Sequence, residues 1–377
     1  MTALHCKDDP PNAWRRPSVP QTAKQLDAEA SPRYIRCDYV PSLPLSDAPD
    51  MCDTATHLGL SRIRDARAVL AGRLAPSPCL PVDDGQARPG RLFVKAENLM
   101  PTGSFKIRGA TYRISLLTAA ERMRGVIAYS TGNHAQAVAK AARDAGVAAT
   151  IVMSSDVPSV KVAATERWGA EVVMAAPSSH ARRALAEQIA SESGLVLVPP
   201  YDDYAIMAGQ GTIGLELLDQ MPADFPMTVF VPIGGGGLVA GVAAALKQAS
   251  RHVRVIGVEP ELENDAYQSL KAGRIMGLAG PSESIADAIK VQQLGNLVFP
   301  LIQTYVDDIE TVSEAEIAQA TTHAWSSLKL IVEPGGAVGF AAALRAAERQ
   351  AGNTVALLCG GNVTLERLLQ IQTLLTQ

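Results

Sequence analysis

Glu97-Asn98-Leu99-Met100-Pro101-Thr102-Gly103-Ser104-Phe105-Lys106-Ile107-Arg108-Gly109-Ala110 is the stretch from which the fold is read. The apolar run Leu92-Phe93-Val94 leads into it as a short strand, and a helical pattern follows from about Ile107. Lys106 therefore falls where a loop becomes a helix. The helix dipole is positive there, so an ammonium is misplaced and is pressed to lose its proton. A neutral amine forms a Schiff base with an aldehyde, and pyridoxal phosphate is the cofactor that uses that chemistry. Taken alone, the position also admits a solvated lysine with no role.

Working outward, the chain has 377 residues, enough for one large or two medium domains. Apolar residues make up 47%, enough for a large core, and a net charge of −4 offers no basic footprint for nucleic acid. No apolar stretch reaches the ~18 residues that span a bilayer, and no continuous apolar signal core opens the chain. Cysteines fall at 6, 37, 52, 79 and 359, an odd number without a CxxC pair. This pattern reads as a reduced, cytoplasmic protein without a disulfide frame. Residues 1–55 carry Pro10, Pro11, Pro17, Pro20, Pro32, Pro41, Pro44 and Pro49 with little periodicity. They are expected to form a disordered extension or an arm that packs on a partner subunit.

After the lysine helix the pattern turns to βα repetition. Strands are predicted at 126–129, 148–153, 171–174 and 195–198, with helices at 135–145, 159–168 and 181–191 between them. Later strands are predicted at 228–231, 253–258 and 354–358. Continuous apolar strands alternating with helices predict an α/β fold with parallel sheets covered on both faces.

Pro232-Ile233-Gly234-Gly235-Gly236-Gly237-Leu238 follows one of these strands and opens a helix. Four glycines let the backbone approach an anion, and exposed N–H groups with the helix dipole favour phosphate. A tight turn needing positive φ is the plainer reading. The following helix, strand and Glu259 also admit a dinucleotide-binding unit of an NAD-dependent oxidoreductase. Four contiguous glycines do not match GxGxxG, and that reading leaves the Lys106 stretch without a role. Glu259-Pro260-Glu261-Leu262-Glu263-Asn264-Asp265 ends a strand and enters a helix. Its oxygens suit a hard cation such as Mg²⁺ or Ca²⁺, or it is an acidic helix start complementing the dipole. Cys359-Gly360-Gly361-Asn362 follows the strand at 354–358, and its thiol reads either as site or as an inert buried group.

Glu-Asn followed by Ser104-Phe105-Lys106-Ile107-Arg108-Gly109-Ala110 resembles the cofactor-lysine motif of the serine/threonine dehydratase and serine racemase family, pyridoxal-phosphate enzymes of fold type II. The glycine run, Ser130-Thr131-Gly132-Asn133-His134 and Cys359-Gly360-Gly361-Asn362 extend the resemblance in order, over residues 57–377. It implies two open doubly wound parallel-sheet domains with the cofactor between them. The large domain would take residues 56–119 and 202–377, and the small substrate domain 120–201. Lys106 would carry pyridoxal 5'-phosphate, flanked by Phe105, with Asn133 on the ring oxygen. Gly234, Gly235, Gly236, Gly237 and Leu238 would hold the phosphate. Glu333 of Val332-Glu333-Pro334 would lie close by, and Cys359 would face the pyridine nitrogen. A neutral partner at that nitrogen cannot keep it protonated, which suits rapid loss of a β-leaving group.

The resemblance further implies that Ser130, Thr131, Gly132, Asn133 and His134 hold the substrate carboxylate. Arg182 would meet a second carboxylate or else be a surface arginine. Glu259, Asp265 and the Glu263 carbonyl would bind Mg²⁺ or Ca²⁺, although Glu263 replaces a small residue. Ala288 replaces a glycine of the family in Ala286-Asp287-Ala288. The expected activity is a dehydratase, an ammonia-lyase for L-threonine, L-serine or a 3-hydroxyaspartate, with Lys106 as the base. Serine racemisation is the alternative. Thr131 occupies the place of the racemase acid and Tyr201 that of a racemase asparagine, and both departures point to elimination. A homodimer or homotetramer is expected, with no nucleic-acid or membrane partner.

Overall fold

The computed structural model describes residues 58–222, 226–250, 252–280 and 282–375. The expectations for residues 1–55 lie outside them. Among the described residues, ten strands form two sheets. β1 (Cys79–Pro81), β2 (Arg91–Ala96), β7 (Met227–Pro232), β8 (Val253–Pro260), β9 (Asp308–Val312) and β10 (Asn353–Leu358) make a six-stranded sheet in the order β1-β2-β10-β7-β8-β9. β3 (Val126–Tyr129), β4 (Ala149–Ser154), β5 (Glu171–Ala175) and β6 (Val196–Leu197) make a four-stranded sheet in the order β5-β4-β3-β6. All pairings are parallel except β1 with β2. β1 lies within the proline-rich stretch Pro76-Ser77-Pro78-Cys79-Leu80-Pro81. As an edge strand it tolerates Pro81, whose missing N–H deprives no inner neighbour.

Both sheets are doubly wound, and the side-chain alternation shows why. β7 sends Val229 and Val231 into one apolar core and Phe230 into another, all at 1% exposure or less. β3 likewise divides Val126 and Ala128 from Ile127. A strand buried on both faces reads as a continuous apolar run, which is how these strands showed in the sequence. Among the described residues, no helix is long and apolar enough to cross a membrane.

The helix Lys106–Ser115 joins the two halves. Its Ile107, Ala110 and Ile114 pack into the core beneath the four-stranded sheet, while Tyr112 packs with the core of the larger one. It meets the helix Tyr204–Gln220 where Gly109 faces Gly209, and a Cβ on Gly209 would lie 2.5 Å from the Gly109 Cα. The lysine helix is thus held by backbone-to-backbone contact that no larger residue allows. Gly209→Ala is expected to destabilise the protein by about 1–3 kcal/mol through overpacking. Urea denaturation of the two proteins measures this, and an unchanged midpoint would mean that the helices separate freely.

Candidate active site

The C-terminal ends of β3, β7 and β10 each lead into a turn and a helix start, and the loop before Lys106 runs against the end of β10. Phe105 N–H donates to the Cys359 carbonyl at 3.1 Å, and Ser104 bridges Gly360. Lys106 opens its helix, and its Nζ donates to the Pro200 carbonyl at 2.8 Å, on the segment leaving the four-stranded sheet. The Phe105 ring centroid lies 5.1 Å from the same Nζ. Burial pushes the amine down to about 8, with Cys359 pulling the other way. Loss of hydration disfavours the ammonium, so the amine is readied to act as a base. The Cys359 thiol is pushed well up, first by burial and then by the charges of Glu97 and Glu333, so it stays protonated and neutral.

Across the cleft, Gly132 caps the helix Asn133–Asp144, and no side chain closes its first turn. The Ser130 hydroxyl accepts the Gly132 N–H at 3.2 Å, which shapes the loop. Asn133 binds the two halves together. Its Nδ2 donates to Glu333 Oε1 at 2.5 Å, and its Oδ1 accepts from Asn362 Nδ2 at 2.7 Å. Asn362 Nδ2 also reaches the Thr102 carbonyl at 2.7 Å, on a residue at φ 69°. Burial pushes the Glu333 carboxyl up to about 7, while the Asn133 bond and the charge of Lys161 draw it down. His134 Nε2 lies 2.9 Å from the Val198 carbonyl. A carbonyl only accepts, so Nε2 carries the proton and Nδ1, which is buried without a partner, carries none. Burial holds this imidazole down to about 3 and therefore neutral.

The glycine run has tighter reasons than a phosphate alone. A Cβ at Gly235 would collide with the Tyr201 ring, and one at Gly234 would lie 2.8 Å from the Ile289 carbonyl. Gly236 stands at φ 84°. The helix Gly237–Ala249 starts without a side-chain cap, so its first amides remain available to an anion. A cleft with a buried lysine amine, an uncapped glycine turn and an enclosed thiol suits an aldehyde cofactor bearing a phosphate. Residues 70–360 match the family described as "Pyridoxal-phosphate dependent enzyme". The chain belongs to the pyridoxal-phosphate-dependent enzymes.

Relatives in this family share most of the chain. An L-threo-3-hydroxyaspartate ammonia-lyase of Saccharomyces cerevisiae is 42% identical over 279 residues, 74% of this chain and 84% of its own. A serine racemase of Schizosaccharomyces pombe is 41% identical over 73% of this chain and 85% of its own. Among solved structures, a threonine deaminase of T.th. matches with a TM-score of 0.76 at 40% identity, covering 81% of this chain and 99% of that one. Maize serine racemase gives 0.78 at 35% identity, covering 84% and 97%.

Two further expected sites of this pyridoxal-phosphate enzyme are those of Arg182 and of the acidic turn. Arg182, with Lys161 and Asp156, lines a cavity of about 200 Å³ that opens beside Thr131. The Arg182 guanidinium donates to Ser179 Oγ at 2.9 Å. At the acidic turn, the Glu259 carboxylate accepts the N–H groups of Ala266 and Tyr267 at 3.0 and 2.8 Å, capping the helix Asp265–Ala272. Among the described residues, no three acidic, histidine or cysteine side chains converge as a metal cage. Both Glu263 carboxylate oxygens and Asp265 Oδ2 are nevertheless buried without a partner. Sequence reading missed Pro200, whose contribution is a backbone carbonyl, and it gave Asn362 no role.

Borohydride reduction of the holoenzyme is expected to fix the cofactor to Lys106, read as a mass increment on that peptide. Lys106→Ala should lose the label, the visible band and turnover together. A label found on another lysine would displace Lys106 from the site.

Proposed function

We propose that this protein is a pyridoxal-phosphate-dependent ammonia-lyase that converts a β-hydroxy amino acid to a 2-oxo acid and ammonia. The observation that carries the reading is the Lys106 amine, desolvated, held on the Pro200 carbonyl and close to the neutral Cys359 thiol. The cofactor supplies, when bound, the aldehyde and the electron-withdrawing ring. Phe105, Asn133, Glu333 and Cys359 surround its place, and Gly234 to Gly237 with Leu238 offer amides to its phosphate. Ser130 to His134 hold the substrate carboxylate at a helix N-terminus. Lys106 Nζ takes the α proton, for which it must be neutral. The β-hydroxyl departs as water, and hydrolysis of the remaining imine gives the 2-oxo acid and ammonia. Cys359 has no negative charge to keep a ring nitrogen protonated, which favours prompt elimination over a long-lived carbanion. Thr131 is proposed to stand on the substrate side, its methyl restricting how its hydroxyl can turn.

L-threonine, L-serine and a 3-hydroxyaspartate fit this chemistry, and relatives carry names for threonine and hydroxyaspartate. Arg182 is proposed to receive the second carboxylate of a hydroxyaspartate. The unpaired oxygens of Glu263 and Asp265 support a structural Mg²⁺ or Ca²⁺ site, which Glu259 would join by turning from its amides. The smaller domain is proposed to span 120–201, and the larger 56–119 and 202–377. A cytoplasmic homodimer or homotetramer is proposed, supported for the compartment by free Cys79 and Cys359.

The reading is tested by measuring 2-oxo acid release from the three substrates, with chiral separation of residual serine. Pyruvate from L-serine is expected to exceed D-serine, and D-serine appearing as fast would make the protein a racemase. Arg182→Ala should weaken turnover of 3-hydroxyaspartate by about 2–5 kcal/mol, with little change for L-serine. For the metal, a ligand bound only to the folded state raises the melting temperature. EDTA is expected to lower it and Mg²⁺ to restore it, while Asp265→Ala responds to neither. Equal EDTA sensitivity in both proteins would count against this site.

A further inference from the structure

Arg108, at 1% exposure, heads the large side chains that the described structure buries completely. Its guanidinium is fully engaged. Nε and Nη2 donate to Glu97 at 2.8 and 2.9 Å, Nη1 and Nη2 to Glu216 at 2.5 and 2.9 Å, and Nη1 to Thr212 Oγ1 at 3.1 Å. Lys95 Nζ donates to Glu216 at 2.6 Å, the Ser77 carbonyl at 2.7 Å and Gln220 at 2.9 Å. The Ser77 hydroxyl donates to Glu97. The cluster is one network in which Arg108 and Lys95 share Glu216 while Arg108 also holds Glu97, and its two cations and two carboxylates cancel.

Stability alone gives no reason for four buried charges, because apolar residues of similar volume do as well or better. Their place gives one. Ala96 of β2 lies opposite Leu358 of β10. Glu97 and Cys359 are the residues that follow the two strand ends, and the charge of Glu97 is felt at the Cys359 thiol. Two residues before Arg108, on the same helix, is Lys106. The charged and titratable neighbours of Cys359 are Glu97, Glu333 and Lys106, and those of Lys106 are Cys359 and the neutral His134.

We infer that Arg108 is a positioning residue: by neutralising Glu97 near Cys359 it keeps a net negative charge away from the thiol and from the cofactor nitrogen that the thiol would face. The inference rests on the lyase reading above. An uncompensated Glu97 would favour protonated forms in the cleft and strengthen the ring as an electron sink. With Arg108 in its fork, the pair presents little charge and also pins the first turn of the Lys106 helix.

The test is the pH at which the visible band of the bound cofactor titrates, read in the holoenzyme for Glu97→Gln, Arg108→Gln and the double variant. A single charge at ~10 Å with an effective dielectric constant of ~20 moves such a midpoint by about one pH unit. Arg108→Gln leaves a negative charge, and the midpoint is expected to rise. Glu97→Gln leaves a positive charge, and the midpoint should fall. The double variant is neutral and should return to the wild-type value. Melting temperatures are measured alongside. Loss of stability with no displacement, or displacements of the same sign, would reduce Arg108 to a strut and overturn the inference. If Arg108→Gln does not fold, Glu97→Gln, which keeps its shape, decides alone: a fall supports the inference, and no change or a rise overturns it. A wild-type protein that gives no visible band with pyridoxal phosphate would instead remove the lyase reading itself.

Discussion

A lysine serves as a base near neutral pH only where its ammonium is denied water, and that requirement governs the arrangement around Lys106. Burial brings the amine to about 8, and the helix start adds an unfavourable dipole. Enclosure has to come from both halves, because one sheet end covers only one side of a side chain. The end of β10 covers one side through Cys359, and the segment leaving the smaller sheet covers the other through Pro200. Neither wall carries a carboxylate against the amine, so the loss of hydration outweighs the opposing pull of Cys359.

The seam between the halves is built from short polar residues with few alternative partners. Asn133 uses both ends of its amide on residues of the other half, Glu333 and Asn362. Tyr201 lays its ring on Gly235 and its backbone on Gly237. Asp202 accepts the Asn296 and Leu297 amides, and Asp203 pairs with Arg113. The segment bearing the Pro200 carbonyl is thus fixed on the far side of the lysine as firmly as on the near side.

What the sequence shows clearly is what the chain keeps local. Lys106, the glycine run and Ser130 to His134 lie at strand-to-helix junctions, where period and glycine content change within a few residues. The doubly wound sheets showed as apolar runs for the same reason. The Asn133, Glu333 and Asn362 contacts join residues 200 or more apart, and no spacing announces them. Pro200 acts through its main chain and leaves no side-chain signature. The acidic turn was legible as chemistry but ambiguous as role, since a carboxylate that caps a helix and one that binds a cation share the same sequence. Here Glu259 is given to the helix amides, while Glu263 and Asp265 keep unpaired oxygens.

The strand order has a consequence for how the chain matures during synthesis. β3 to β6 are contiguous in sequence, so the smaller sheet can close soon after its last strand leaves the ribosome. The larger sheet cannot, because β10 inserts between β2 and β7 in its middle. Until residue 358 emerges, β2 and β7 each present an open parallel edge, a template for pairing with another nascent chain. The last strand to arrive is also the one that delivers Cys359 and Asn362 and closes the wall over Lys106. Competence to hold the cofactor is therefore gained late and at once, and a stalled chain would leave its lysine exposed to water.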